Sequence, residues 1–193
     1  MNGSRFSKKL VAVASLAFVG SLCLSACSEG SGKSTQPDRS QYSHASRVKL
    51  YTSVADLAKD STVVVSGLVV SQKVVRDIDP TTEFTISEVQ VADAPKSTNG
   101  IIKGGTILLR QLGSDKQIGP ARIVETGKRY LLYLTASGLE GDLGSQYYVT
   151  GGTAGLYEAL NSKSTSEIVS FSHGASDEGD QLPSQLSITS ALG

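Results

Sequence analysis

The sequence predicts a mainly β domain: a small antiparallel sheet that curls or closes into a barrel, with one short helix ahead of it. Three observations lead there. First, TVVVSGLVVSQKVV (62–75), FTISEVQV (84–91), TILLRQL (106–112) and YLLYLT (130–135) are dense in β-branched and aliphatic residues and bounded by turn residues, the composition of strands. Second, glycines punctuate the chain between and within these runs, at Gly67, Gly104-Gly105, Gly127 and Gly151-Gly152. Third, both cysteines, Cys23 and Cys27, lie near the N-terminus. The rest of the chain therefore has no disulfide framework and no thiolate metal cage, and apolar burial must hold it together. With no Trp, four Phe and seven Tyr among 193 residues, that core is mostly Val, Leu and Ile.

Taken in order, the first 26 residues read as an address. A short polar segment ending in Lys8-Lys9 precedes the apolar run LVAVASLAFVGSL (10–22), followed by small residues. That is the layout of a secretory signal, and the run is too short to span a bilayer comfortably. The segment ends in Leu24-Ser25-Ala26-Cys27, which resembles the lipobox of bacterial lipoproteins. The resemblance implies that Cys27 receives a diacylglyceryl group through a thioether. It also implies that a lipoprotein signal peptidase cleaves between Ala26 and Cys27, and in many bacteria the freed amine is acylated too. Two acyl chains anchor stably where one binds only marginally. The expected location is the extracytoplasmic face of the cell membrane.

Residues 27–46 form the lipidated tether, because SEGSGKSTQPDRSQYSHAS (28–46) has almost nothing to bury. Nineteen such residues reach roughly 25 Å root-mean-square, enough to clear lipid headgroups. His44 lies in this tether. The β domain is expected over 47–171. It opens with a short amphipathic helix at 53–60, with Ser53 as N-cap and apolar residues at 54, 57 and 58.

The first strand then covers 62–75, with a bend or bulge at Gly67. The turn at 77–82 follows. In the second strand Phe84 and Ile86 differ in parity from Val89 and Val91, so a bulge near Ser87-Glu88 is expected to restore one apolar face. Strands at 106–112 and 130–135 come next, then two short ones at 146–150 and 155–158 around Gly151-Gly152. Val65, Val69, Ile107, Leu132 and Leu134 are the expected core. Long strands with bulges and glycines suit a curled sheet or small barrel, of which the oligonucleotide/oligosaccharide-binding type is one form. Ile168–Phe171 adds an edge strand, and 172–193 is expected to be a polar, disordered and dispensable tail. The Val-rich first strand, "EVQVAD", the "GxxYLLYL" strand (127–134) and "YYVTGGTAG" together resemble small uncharacterised all-β extracytoplasmic domains of Gram-positive bacteria.

For function, most of the chemistry fails at the level of residue supply. From Cys27 onward there are 15 basic against 18 acidic residues, about −3 and interspersed, so nucleic acid is not an expected partner. Nucleophilic catalysis needs a base beside the nucleophile. After the tether the one histidine is His173, inside SHGASDEGD, and no Gly-x-Ser-x-Gly elbow exists. Asp77, Asp79 and Glu83, and separately Asp177, Glu178 and Asp180, have the residue type for calcium, but neither has EF-hand spacing. Gly151-Gly152-x-x-Gly155 lacks the Lys-Ser/Thr of a phosphate loop and reads as a tight turn.

Tyr130, Tyr133, Tyr147, Tyr148 and Tyr157 could line a sugar or peptide face. Tyr130 and Tyr133, like Tyr147 and Tyr148, differ in strand parity, so one ring of each pair is expected to face out. The expectation is therefore a non-enzymatic, membrane-anchored binding or interaction domain at the cell envelope. Its partner would be an envelope protein or cell-wall ligand, with no catalytic residue, metal or cofactor. The alternative is an envelope hydrolase or processing factor using loop carboxylates, Asp77 with Asp79 or Glu140 with Asp142.

Overall fold

The computed structural model describes residues 49–98, 100–161, 170–173 and 179–193. The signal segment, Ala26, Cys27, the tether with His44, Ile168 and the acidic pair Asp177 and Glu178 lie outside the described residues. Helix α1 (Val54–Asp60) begins as the sequence indicates: the Ser53 hydroxyl accepts from the Asp56 amide at 3.1 Å and donates to its carboxylate at 2.8 Å. Its apolar residues Val54, Leu57 and Ala58 are buried. At its other end the Lys96 ammonium donates to the carbonyls of Ala58 (2.8 Å) and Ser61 (2.7 Å), a cation at the negative end of the helix.

The strands are β1 (Val63–Val75), β2 (Phe84–Ser97), β3 (Thr106–Leu112), β4 (Arg129–Ala136), β5 (Gln146–Val149), β6 (Leu156–Ala159), β7 (Ser170–His173) and β8 (Gln185–Ser187). They pair in the order β1-β2-β3-β5-β4, and β4 returns to β1, so five strands close a barrel. One contact in the ring is parallel, β3 with β5 at Leu108–Gln146 and Leu109–Tyr147. The sheet is therefore not wholly antiparallel, as the sequence reading had it. The result is a small Greek-key barrel of the oligonucleotide/oligosaccharide-binding type.

Closure depends on the length of β1: residues 63–68 pair with β4 on one side, while the whole strand follows β2 on the other. Its register against β2 shifts at Gly67, as expected, with Ala92 as the extra residue opposite. A Cβ at Gly67 would lie 2.6 Å from Val89 Cγ1 and 2.7 Å from the Gln90 carbonyl oxygen, so only glycine lets β2 cross so closely. The second expected bulge is misplaced. From Phe84 to Gln90, β2 keeps an unbroken register with β3, and the extra residue sits in β1 at Val70. Interior positions of β2 are thus Thr85, Ser87, Val89 and Val91, so its apolar face simply turns polar at one end.

Two cores result, one on each side of the β1–β4 ribbon. Inside the barrel lie Val65, Val69, Ile107, Leu132 and Leu134, the five residues anticipated, together with Val63, Val89, Leu109, Tyr130 and others. Outside it, Val64, Leu131 and Tyr133 pack against α1, Tyr157, Phe171, Leu186 and Ala191. Strand β4 is buried on both faces from Tyr130 to Leu134. This corrects the tail expected over 172–193. Strands β7 and β8 extend the sheet beyond β6, and Leu182, Leu186, Ile188 and Ala191 cover the outer core. Few apolar residues in a polar segment suffice because each lands on a face already prepared by β4 and β6.

Candidate functional site

The carboxylates that the sequence groups together are turned apart. Asp77 accepts from Arg110 Nη2 at 2.5 Å. Asp79 folds back on its own turn, accepting from the Thr81 amide (2.7 Å) and the hydroxyls of Thr81 and Thr82 (2.8 and 3.0 Å). Glu83 is buried and held by the Ser114 hydroxyl and Arg76. Arg110 holds Asp77, the Thr81 amide holds Asp79 and the Ser114 hydroxyl holds Glu83 below the usual carboxylate range. A general acid needs the opposite shift. Glu140 and Asp142 are exposed in the short 3-10 segment before β5. Among the described residues no group of three or more His, Cys, Asp or Glu side chains could hold a metal ion.

His173 is not a solvated tail residue. Its ring packs against that of Tyr157 at a tilt of 51°, centroids 4.6 Å apart, and its Nε2 faces the carbonyls of Thr153 (3.0 Å) and Ala154 (3.1 Å). The Gly151–Gly155 segment is a tight turn, with Gly151 at φ 64° and the Tyr51 ring against it. Among the described residues the tyrosines form no exposed face either. Tyr130 and Tyr133 are both buried, correcting the one-in, one-out expectation, because β4 separates two cores and parity chooses between interiors. Tyr147 and Tyr157 are buried too, and Tyr148 is half-buried. Burial pushes the Tyr133 and Tyr157 hydroxyls far up, and they donate instead to the carbonyls of Ala191 (2.8 Å) and Pro183 (3.2 Å).

The barrel interior is filled by side chains, so it has no room for a ligand. Concavity lies outside. The larger hollow, about 610 Å³, runs over the outer face of β1 and β2 toward the C-terminal segment. Leu68, Phe171 and Ile188 supply its apolar surface, and Ser66, Gln90 and Thr189 its polar one. Arg129, half-buried opposite Leu68, and the exposed Lys103 border it, and neither makes an ion pair among the described residues. Asp93 is the one acid in the lining. The hollow is shallow, with polar and apolar lining in similar measure.

A second hollow, about 440 Å³, lies at the barrel mouth under the β3–β4 loop (residues 113–128). Here the loop is stitched in place: Gln72 Nε2 donates to the Ser87 hydroxyl (2.9 Å) and the Val124 carbonyl (2.7 Å), and Gln111 bonds the Arg122 carbonyl and Val124 amide. Arg122 and Lys128 with Glu125 and Glu158 form a four-membered ion network, N···O 2.5–3.0 Å, that ties the loop to β6. That region is braced by side-chain bonds on both sides of the loop.

No family model and no curated protein matches the chain. No helix among the described residues is long and apolar enough to cross a membrane. The sequence reading missed Arg110, Arg129 and Lys103. A lone arginine inside TILLRQL was a usable signal, since a cation amid buried aliphatics demands an anion. Lys103, in a glycine turn, offered none.

Proposed function

We propose that the chain is a membrane-anchored extracytoplasmic lipoprotein, attached through lipid on Cys27 after cleavage at Ala26–Cys27. Its barrel would bind a cell-wall ligand or envelope protein without transforming it. The groove carries the binding half of this reading: it sets two cations, Arg129 and Lys103, that make no ion pair among the described residues, beside an apolar wall. Leu24-Ser25-Ala26-Cys27 supports the anchor.

Each half has its own test. Cells fed a fatty-acid probe should label the wild-type protein and leave Cys27→Ala unlabelled; equal labelling of both sinks the anchor. The detergent-solubilised protein should co-sediment with purified cell wall. Arg129→Glu should lower that retention about tenfold, the worth of one charge-assisted hydrogen bond. Unchanged retention in a folded Arg129→Glu variant removes the groove from the reading.

A further inference from the structure

Arg110 belongs to neither core. It sits on the outer face of β3 beside Ile86 of β2, yet its side chain is fully buried. The guanidinium lies over the Phe84 ring, 4.8 Å from the centroid. Its Nε donates to Gln146 Oε1 at 2.5 Å and its Nη2 to Asp77 Oδ2 at 2.5 Å, while Nη1 has no partner. A guanidinium fork matches an oxyanion through two parallel hydrogen bonds. Asp77 engages only one prong, leaving a buried cationic donor unmet.

What covers the fork is the β1–β2 loop (residues 76–83), most of it exposed, with Ile78 49 % exposed. Asp79 braces the turn at 79–82 from within. Thr81 and Glu83 are tied to Gln117 of the β3–β4 loop, whose side chain donates to the Thr81 carbonyl (3.4 Å) and accepts from the Glu83 amide (2.6 Å), so the movement required is confined to Asp77 and Ile78, the Asp77 carboxylate exchanging the Arg110 pair for water.

We propose that Arg110 is an oxyanion-binding residue and Asp77 its built-in occupant, displaced when a ligand phosphate or carboxylate takes the Nη1–Nη2 edge of the fork. The aromatic floor of Phe84 and the acceptor Gln146 fix the guanidinium plane, so the ligand meets a preorganised fork once Asp77 moves away. This site is on β2 and β3, separate from the groove beside Arg129, and stands or falls independently of it.

The test uses the full-length protein in detergent with two probes, glycerol phosphate and glucuronate, following the Arg110 Nε–H resonance. Binding of either probe, with a shift of that resonance, is expected, and the probe that binds identifies the phosphate or carboxylate source. Asp77→Asn should tighten binding about tenfold, because the competing charge no longer holds the closed state. Amides of Asp77 and Ile78 should exchange with solvent faster in the presence of the probe. Arg110→Lys, if folded, should lose the response; if it does not fold, Asp77→Asn still decides, since it leaves the buried cation in place. No shift with either probe at tens of millimolar, or an Asp77→Asn variant that binds no tighter, overturns the proposal and leaves Arg110 a structural clasp.

Discussion

A chain cut after Ser176 should lose cooperative folding altogether. The missing residues include Leu182, Leu186, Ile188 and Ala191, which cover the outer core. Burying a leucine or isoleucine side chain contributes about 1.5–3 kcal/mol. Leu186 is buried and Leu182 and Ile188 partly so, so the three amount to roughly 3–6 kcal/mol against a typical total of 5–15 kcal/mol for a domain. The cut also strips the acceptors from two buried hydroxyls, Tyr133 and Tyr157, and removes the Asp180 carboxylate that accepts from the Tyr51 amide at 2.8 Å. Unsatisfied buried donors add about 1–3 kcal/mol each. Thermal unfolding followed by circular dichroism gives the answer. A truncated protein that melts cooperatively near the full-length midpoint would falsify the outer core as a stabilising unit.

The second large effect is expected from two neighbours on β4. Leu131→Ala and Leu132→Ala should each cost about 2–5 kcal/mol, the range for emptying a buried leucine site. Leu132 points into the barrel and Leu131 into the core beneath α1 and β7, and both are fully buried. In a sheet with one wet face, adjacent residues would differ sharply, and the outward one would fall within about 0.5 kcal/mol of neutral. Urea unfolding of the two variants separates these cases, and a near-neutral Leu131→Ala leaves only one core standing.

These two predictions also mark where sequence reasoning reached and where it stopped. Strand positions were legible because β-branched runs and glycine turns act locally. The run YLLYLT lacks alternation, a sign of burial on both faces that the one-in, one-out reading of Tyr130 and Tyr133 passed over. The partner for the second face was not legible. SQLSITSAL carries scattered apolar residues without a period, and only the prepared surface of β4 and β6 gives them a place. The bulge was misassigned for a related reason. A parity break in β2 has two remedies, and the polar interior at Thr85 and Ser87, bonded to the Gly113 carbonyl and to Gln72, made a shift in β2 unnecessary. Of the candidate sites, Arg110 was visible as a misfit residue, but its pairing with Asp77 across 33 positions was not.

Strands β7 and β8 and the segment around Tyr51 place the beginning and end of the domain side by side. The Gln181 amide donates to the Tyr51 carbonyl at 2.9 Å, and Gly193 lies against Ala55. Such contacts close loops of well over a hundred residues, so they form late, and Tyr51 and Ala55 have no partner there until residues 181–193 are synthesised. A nascent chain emerging N-terminus first therefore stays without a complete outer core until residues 182–191 have followed. Anything that holds residues 179–193 away from the barrel therefore holds the outer core open as well.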